Sequence, residues 1–373
     1  MIPSTSTTST SSTTPPSPVI APLGTESRPQ PPRWRRAVRR GRRWLRNGLL
    51  TIVVLLLAAA AVGQVQQVRL QRGHPAVGEL IDVGGHRLHV IRSGDGPTVV
   101  FENGPGGMAL DWTLVQNQLV DQVTTVAYDR AGMGWSEVGP RPRDVATIVE
   151  ELHTALAASE SPAPYVLVGH SYGGLIVRAY AYTYPDEVAG LVLVDAAHED
   201  QFDIYPAAYA AKADNLAKTM GRLRGVYRAV TGSGIPALFA GSFPDPVADR
   251  LPTEAATARR AVTLMDSSHA TTATDEMVAL ADSLDHVRRI RAPLGDLPVV
   301  VIRHGRTMGP EAGVPAGLED EVEAAWGRMQ DDLTTISTDS RLVVADGSGH
   351  DIHLERPELV TDAIRDVVAR ATD

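Results

Sequence analysis

The stretch that decides the fold is Tyr165-Val166-Leu167-Val168-Gly169-His170-Ser171-Tyr172-Gly173-Gly174. Its first part is apolar and aromatic, which favours a buried strand, and residues 175–184 have the composition of a buried helix. A Gly-x-Ser-x-Gly sequence between a strand and a helix is typical of a nucleophile elbow, a strained turn that exposes the serine hydroxyl. The sequence therefore predicts that Ser171 is presented at a sharp turn and that the amide of Tyr172 is free to donate a hydrogen bond.

Short runs rich in branched and aromatic residues predict further strands. The eight predicted strands are 80–83, 87–91, 98–102, 123–128, 165–168, 191–194, 299–302 and 341–344. Helical patterns lie between several of them, at 144–157 and 175–184, and another follows the last strand at 357–369. This alternation predicts an α/β fold with a mostly parallel sheet, whose first two strands form an antiparallel hairpin around Gly84-Gly85.

The interval between the sixth and seventh strands breaks this rhythm. Residues 197–296 are rich in Ala and compatible with helix, notably at 207–230 and 253–284. A structureless loop of that length is uncommon in a compact domain. We therefore expect an inserted helical cap that covers the site and divides the core into residues 78–196 and 297–373.

The N-terminal part of the chain differs in composition from the rest. Residues 1–31 are dominated by Ser, Thr and Pro, and residues 1–46 hold nine Arg and one Glu, which predicts a disordered, basic leader. Residues 47–67 are uncharged and long enough to span a bilayer. With the Arg-rich flank inside, they predict a single-pass cell-membrane helix with the body outside the cytoplasm. A secreted protein, cleaved near Ala61-Val62-Gly63, is the alternative.

Charge and motif content exclude several other classes of protein. The whole chain carries a net charge of −9 despite its basic leader, so the body is acidic and we expect no nucleic-acid partner. The sequence contains no P-loop, no His-Glu-x-x-His and no dinucleotide fingerprint, so we expect no metal site and no cofactor. The clusters at 198–200 and 350–353 contain ligand-type side chains, but their spacing matches no known metal site.

Four motifs in this order resemble those of the α/β-hydrolase superfamily, over residues 78–371. They are Glu102-Asn103-Gly104-Pro105-Gly106-Gly107, Asp129-Arg130-Ala131-Gly132-Met133-Gly134-Trp135-Ser136, the elbow at Ser171, and Gly349-His350. The resemblance implies an eight-stranded sheet flanked by helices, and a catalytic triad in the chain order Ser, acid, His.

The resemblance also implies an oxyanion hole after the third strand. One donor is the amide of Tyr172, and the other is the amide of Gly104, which aligns with the donor of the family's His-Gly-x-Pro loop. Gly106 is the fallback donor. Glu102 replaces the usual His of that loop, and we expect this change to remove a side-chain contact that anchors it.

Ser171 needs a base, because an unassisted hydroxyl is a weak nucleophile at neutral pH. Eleven histidines compete for this role. His350 is the best candidate because it follows a strand through the turn 346–349 and resembles the family's Gly-His loop. We assign no catalytic role to His170, which we expect to be structural, or to His353.

The acid of the triad is less regular. Most superfamily members place it after the seventh strand, but residues 303–309 contain no acid, and the next one is Glu311. The sixth strand ends in Asp195, where some relatives carry their acid, so we favour Asp195 over Glu311. Asp129 belongs to a motif that resembles a structural loop, and we expect its carboxylate to bind neighbouring amides.

These residues predict a serine hydrolase that cleaves a small molecule with an ester-like acyl group through an acyl-enzyme on Ser171. A serine argues against dehalogenases and epoxide hydrolases, which need an aspartate there. The Asn-Gly-Pro-Gly-Gly loop also resembles that of proline iminopeptidases, so a peptidase is one alternative. A catalytically silent binding protein with this fold is another, although Ser171 and His350 weigh against it.

Overall fold

The computed structural model describes residues 3–4, 8–11, 33–242, 244–265, 267–309 and 313–372. The disorder expected of residues 1–31 falls almost wholly outside these ranges. The alternative acid, Glu311, also lies outside the described residues.

Eight strands form one sheet, as the sequence predicted. They are β1 (Glu79–Asp82), β2 (Arg87–Ser93), β3 (Thr98–Glu102), β4 (Thr124–Asp129), β5 (Tyr165–His170), β6 (Val188–Val194), β7 (Val299–His304) and β8 (Ser340–Ala345). Their order is β1-β2-β4-β3-β5-β6-β7-β8, and β2 is antiparallel to both neighbours while all other pairs are parallel. The predicted hairpin is confirmed, and Asp82 accepts hydrogen bonds from the amides of Gly84 and Gly85 at its turn.

Helices flank the sheet and fill the long interval between β6 and β7. They are α1 (Arg33–Gly73), α2 (Thr113–Gln116), α3 (Val145–Ala158), α4 (Tyr172–Thr183), α5 (Gln201–Ile204), α6 (Ala207–Gly232), α7 (Thr253–Val262), α8 (Ser268–Val278), α9 (Leu280–Ile290), α10 (Glu319–Leu333), α11 (Ile352–Glu355) and α12 (Pro357–Thr372). Helices α3, α4 and α9 cover one face of the sheet, and α2 and α12 cover the other.

Burial on both faces fixes the centre of the sheet. In β5, Leu167 belongs to the core on one face, whereas Val166 and Val168 belong to the core on the other, because successive side chains of a strand point to opposite faces. All residues of β5 are buried. A strand that is buried on both faces has a continuous apolar run as its sequence. Packing on both faces also holds the carboxyl end of β5 in place.

Residues 197–296, called the insert below, form α5 to α9 and two short 3₁₀ turns, at Ile235–Phe239 and Ala248–Arg250. The second predicted helical stretch consists of α7, α8 and the start of α9. Helix α9 returns to the sheet, where Leu284 and Val287 join the core beside α3 and α4. Helix α6 contains no fully buried residue.

The last turns of α1 pack against the insert. A side chain at Gly63 would meet the carbonyl oxygen of Gly234 at 2.3 Å, so the two backbones touch and only glycine fits. The side-chain amide of Gln67 donates to the carbonyl oxygens of Thr231 and Leu264, at 3.2 Å each. These contacts attach α1 to the insert at two places, the end of α6 and the turn that follows α7.

Helix α1 also contains a long exposed apolar stretch. Among the described residues, its segment Ala37–Gly73 is long and apolar enough to cross a membrane. Large apolar side chains at positions 49–57 are exposed. In water such a surface would be costly, because apolar side chains gain free energy when they leave water.

Candidate active site

Ser171 lies at the sharp turn between β5 and α4. Its φ of 52° and ψ of −120° fall in a region that non-glycine residues rarely adopt. Gly169 and Gly173 make the turn possible, since a side chain on Gly169 would meet the carbonyl oxygen of Gly173 at 2.6 Å. The Ser171 amide donates to the carbonyl of Val194, at 3.1 Å, which ties the turn to β6. The structure thus has the predicted elbow geometry.

Asp195 and His350 meet beside this turn. Nδ1 of His350 lies 2.6 Å from Oδ2 of Asp195. Asp195 is fully buried and its φ is +46°, again a strained value, which turns its side chain away from the line of β6. The structure therefore brings together the predicted base and the favoured acid from chain positions 155 residues apart.

The carboxylate of Asp195 accepts several other hydrogen bonds. They come from Nδ1 of His304 at 2.8 Å, the His304 amide at 3.0 Å and Nε1 of Trp326 at 2.8 Å. Burial raises the pKa of Asp195, but the hydrogen bonds from His304 and His350 outweigh it and hold this pKa well below its ordinary value. Asp195 is therefore a buried, ionised carboxylate.

His350 is the more exposed partner, with 40 % of its side chain accessible. Desolvation lowers its pKa, but the hydrogen bond and the charge of Asp195 dominate and raise the pKa above its ordinary value of 6.5. Because Nδ1 faces Asp195, Nε2 is the ring nitrogen left for proton exchange in the cavity. The loop is also held by Glu355, whose Oε2 accepts from the Gly349 amide at 2.8 Å.

His170, which the sequence marked only as structural, contacts the His350 loop directly. Its Nε2 lies 3.1 Å from the carbonyl oxygen of His350, and the two rings are 4.7 Å apart. Burial, followed by the charge of His350, lowers the pKa of His170 to about 4. His170 is thus neutral at neutral pH and donates its Nε2 proton to that carbonyl. His353 is buried against the His170 ring at 4.4 Å and touches neither Ser171 nor Asp195 by hydrogen bond among the described residues.

The glycine-rich loop after β3 lies next to the elbow. A side chain on Gly104 would lie 3.3 Å from Cβ of Ser171, so the backbone of Gly104 borders the serine. Tyr172 is the first residue of α4, where a backbone N–H has no acceptor within the helix. The fallback donor, Gly106, faces the insert instead, since a side chain there would lie 3.8 Å from Ala273.

Glu102 anchors this loop through a buried cluster that the sequence did not reveal. Oε1 of Glu102 accepts from Arg130 at 2.6 Å, and its Oε2 accepts from the Tyr128 hydroxyl. The same guanidinium donates to the carbonyls of Asn103 and Gly104, both at 2.8 Å. The expectation that the change from His to Glu removes an anchoring contact is therefore wrong. Arg130 supplies the anchor because its fork of donors reaches a carboxylate and two carbonyls at once.

The insert completes the cluster. Glu276 of α8 accepts from Arg130 at 2.7 and 2.9 Å, and its side chain is 1 % exposed. Burial raises the pKa of Glu102, and the charge of Arg130 opposes this. The only sequence signal for Arg130 is its place after Asp129 in the motif at 129–136. Its pairing with Glu276 leaves no sequence signal, because the two residues are 146 positions apart.

Asp129 has the structural role expected of it. Its carboxylate accepts from the amides of Ala109 at 2.7 Å and Trp135 at 3.0 Å, and from Nδ1 of His89 at 2.7 Å. These partners tie together two loops and β2. Asp129 is therefore engaged away from Ser171.

Ser171 and His350 line two adjoining cavities. The larger, of about 630 Å³, is bordered by apolar and aromatic side chains of the insert and α10, among them Phe202, Tyr205, Leu280 and Trp326. The smaller, of about 160 Å³, lies on the side of Gly104 and contains the ion pair of Asp111 with Arg259. A substrate bound at Ser171 would thus have a large, mainly apolar cavity on one side and a small cavity with an ion pair on the other.

The ligand-type clusters do not form a metal site. Within the described ranges, no group of three or more His, Cys, Asp or Glu side chains is arranged to hold a metal ion. His198 pairs with Asp332 at 2.9 Å, and Glu199 pairs with Arg178 at 2.6 Å. These side chains serve in ion pairs between the insert, α4 and α10.

Comparison with known proteins supports the same fold. Residues 99–363 match the profile described as Alpha/beta hydrolase family. The uncharacterized protein YqjL of Bacillus subtilis is 24 % identical over 276 residues, which cover 74 % of this chain and 85 % of that protein. A thermophilic esterase from Thermogutta terrifontis has a TM-score of 0.53 at 22 % identity, covering 77 % of this chain and 94 % of its own. A Bacillus megaterium epoxide hydrolase has a TM-score of 0.57 at 18 % identity, covering 78 % and 100 %. The chain belongs to the alpha/beta hydrolase family.

Proposed function

We propose that this hydrolase cleaves an ester-like acyl substrate through an acyl-enzyme on Ser171. The observation that carries the proposal is the 2.6 Å contact between His350 Nδ1 and Asp195 in the wall of the cavity that Ser171 also lines. A serine at an elbow, an imidazole in the same cavity and a buried carboxylate behind the imidazole are the groups that acyl transfer requires.

In the first step, Oγ of Ser171 attacks the acyl carbonyl carbon while Nε2 of His350 takes the hydroxyl proton. Negative charge then develops on the carbonyl oxygen, and in this proposal the amides of Gly104 and Tyr172 donate hydrogen bonds to it. The protonated ring gains a favourable interaction with the Asp195 carboxylate. When the tetrahedral intermediate collapses, the bond to the alcohol oxygen breaks and His350 returns the proton to it.

In the second step, water attacks the acyl-serine. His350 takes a proton from this water and then gives it to Oγ of Ser171, so that the acid product leaves and the free serine is restored. The pathway needs no co-reactant other than water. It also needs Asp195 to stay ionised, which agrees with the lowered pKa of that carboxyl.

The two cavities favour an unsymmetrical substrate. The larger cavity can hold an extended apolar group against Phe202 and Leu280, whereas the smaller one has room only for a short group beside Gly104. We therefore expect esters with one large apolar part and one short part to be the best substrates. Epoxide opening through an alkyl-enzyme would need a carboxylate at position 171, and the chain has a serine there.

We further propose that α1 anchors the protein in the cell membrane. Its exposed apolar stretch follows a run of arginines, a pattern that keeps the basic flank in the cytoplasm and places the body outside. A helix satisfies its own backbone hydrogen bonds, so this stretch can enter lipid without unpaired polar groups.

Labelling with a fluorophosphonate tests the acyl-transfer chemistry directly, because the reagent reacts only with an activated serine. The full-length protein should be labelled, and peptide mass spectrometry should place the adduct on Ser171. Ser171→Ala should abolish labelling, whereas Ser242→Ala, at an exposed serine of the insert, should leave it unchanged. Failure of the wild-type protein to react would support the silent binding protein instead. A panel of apolar esters and N-terminal prolyl amides would then separate an esterase from a peptidase.

A further inference from the structure

His304, the last residue of β7, lies between two carboxylates. Its Nδ1 is 2.9 Å from Oδ1 and 2.8 Å from Oδ2 of Asp195, and its Nε2 is 3.0 Å from Oε2 of Glu323 on α10. The His304 side chain is fully buried, and that of Glu323 is 22 % exposed. Neither residue belongs to a motif that the sequence offers for catalysis.

This geometry favours a protonated His304. A neutral imidazole has one N–H donor and one lone pair, so one end of the ring would turn its lone pair towards a carboxylate. That contact would be repulsive in a buried site with a low dielectric. With both nitrogens protonated, each end of the ring donates to an acceptor. Burial alone lowers the pKa of His304, but the Asp195 and Glu323 contacts outweigh it and raise this pKa above its ordinary value.

We infer that His304 is a standing cation, held between Asp195 and Glu323, that weakens the binding of a proton by His350. It is a positioning residue, because it reaches the reaction only through the Asp195 carboxylate. The inference deepens the proposed function and rests on it. An ionised Asp195 without a second partner would raise the pKa of His350 strongly. A cation on the other side of the carboxylate makes this rise smaller.

Other charged or titratable groups around His304 are few. From α10, Glu323 also lies 3.8 Å from Arg303, and Trp326 donates to Asp195. From the loop after β8, His350 shares the Asp195 carboxylate, and the charges of the two imidazoles repel each other. From the insert, the ring of Tyr205 stacks 6.4 Å from that of Trp326, and burial raises the pKa of its hydroxyl far above neutrality. Among the described residues, Asp195 and Glu323 are thus the two carboxylates that compensate the charge of His304, and Glu323 is the one that His350 does not share.

The arrangement gives the carboxylate at the end of β6 a compensating charge. Asp195 is fully buried, and a cation beside a buried carboxylate favours its ionised form. The end of β7, next to the place where most of the superfamily carries its acid, supplies that cation in this chain.

The pH dependence of kcat/KM tests the inference. His304→Gln removes the cation, so the pKa of His350 should rise and the acid limb should move to higher pH, by about one unit. His198→Gln is the matched control, since His198 is also buried and bonded to a carboxylate of α10, Asp332, but does not touch Asp195. It should leave the limb in place. A fall in kcat for His304→Gln with an unmoved acid limb would mean a merely structural role and overturn the inference.

Nuclear magnetic resonance of the full-length protein in detergent, labelled with ¹⁵N-histidine, gives a readout independent of hydrolysis. The signal of His304 is the one that titrates at lower pH in Glu323→Gln, because that variant keeps the ring and removes one carboxylate. In the wild type at pH 7, where an ordinary histidine is mostly neutral, both ring nitrogens of His304 should show the shift of a protonated nitrogen. A neutral tautomer there overturns the inference, even if Ser171 is active. A protonated His304 in a protein that fluorophosphonate does not label would instead refute the proposed function alone.

Discussion

Oδ2 of Asp195 lies 2.6 Å from Nδ1 of His350, although Asp195 ends β6 and His350 follows β8. Asp195 can reach the loop after β8 because its positive φ turns its side chain out of the direction of β6. His350 reaches it from a loop held by Glu355 and His170. The contact between Asp195 and His350 is therefore held in place from both sides.

Ser171→Ala should remove hydrolysis of a short-chain p-nitrophenyl ester while the fold stays intact. Only the oxyanion donors and substrate binding would remain, so kcat should fall by at least about a thousandfold. Initial rates and circular dichroism measure the two properties separately. Ser242→Ala serves as the control, and undiminished turnover by Ser171→Ala would refute the elbow assignment.

Asp195→Asn should lower kcat by a factor near 10⁴, about the loss known for the same change in a well-studied triad. The amide offers an N–H where His350 and His304 need an acceptor, so the imidazole of His350 would take the wrong tautomer. Glu311→Gln neutralises the other candidate carboxylate and should cost far less. A larger loss for Glu311→Gln would place the acid after β7 and contradict our assignment.

The acid limb of kcat/KM should lie above pH 6.5. His350 acts as a base only when unprotonated, and its raised pKa means that it stays protonated to higher pH than an ordinary histidine. Activity should therefore be complete well above this pKa and fall as the pH decreases through it. In Asp195→Asn the limb should move to lower pH, because the charge that raises the pKa is gone. A wild-type limb clearly below pH 6.5 would be incompatible with the Asp195 contact.

Glu276→Gln should destabilise the protein by about 3 kcal/mol, because it leaves Arg130 with one charged partner instead of two in a buried site. It should also lower kcat, since the same guanidinium holds the carbonyl of Gly104. Chemical unfolding and ester kinetics measure the two effects. The exposed Glu321 provides the control, and Glu321→Gln should change stability by less than about 0.5 kcal/mol. Equal stability of both variants would show that the cluster contributes little.

Cell fractionation should place the full-length protein in the membrane pellet, resistant to high salt and released by detergent. Protease added outside intact cells or spheroplasts should digest the body and spare the basic leader, because cationic flanks resist translocation. Soluble protein that starts near Gln64 would indicate a cleaved signal. Soluble full-length protein in the cytoplasm would contradict export in either form.

The sheet and the elbow could be predicted because their signals are local. A buried parallel strand such as β5 is a continuous apolar run, and Ser171 stands in a pattern whose glycines are required by contacts of 2.6 Å. Asp195 was recognisable for the same reason, since it directly follows the apolar run of β6. These features need only a few consecutive residues to be identified.

The pairs that hold the site together could not be predicted in this way. Arg130 and Glu276 meet only because α8 of the insert folds back over the β3 loop, and His304 meets Glu323 only because α10 packs beside β7. Such contacts depend on where a helix lies in three dimensions, and no spacing along the chain encodes them. A charged residue in a helix of the insert also has the composition of an ordinary solvated surface.

The contact between α1 and the insert sets a practical limit on shortening this protein. Trimming the chain to Gly78, where the predicted core begins, would remove Gln67 from the carbonyls of Thr231 and Leu264 and uncover the backbone of Gly234. Buried carbonyls without donors are unfavourable, so α6 and the end of α7 would loosen. A shortened version intended for crystallisation should therefore begin at Gly63, because the part of α1 behind the exposed apolar stretch packs against the insert.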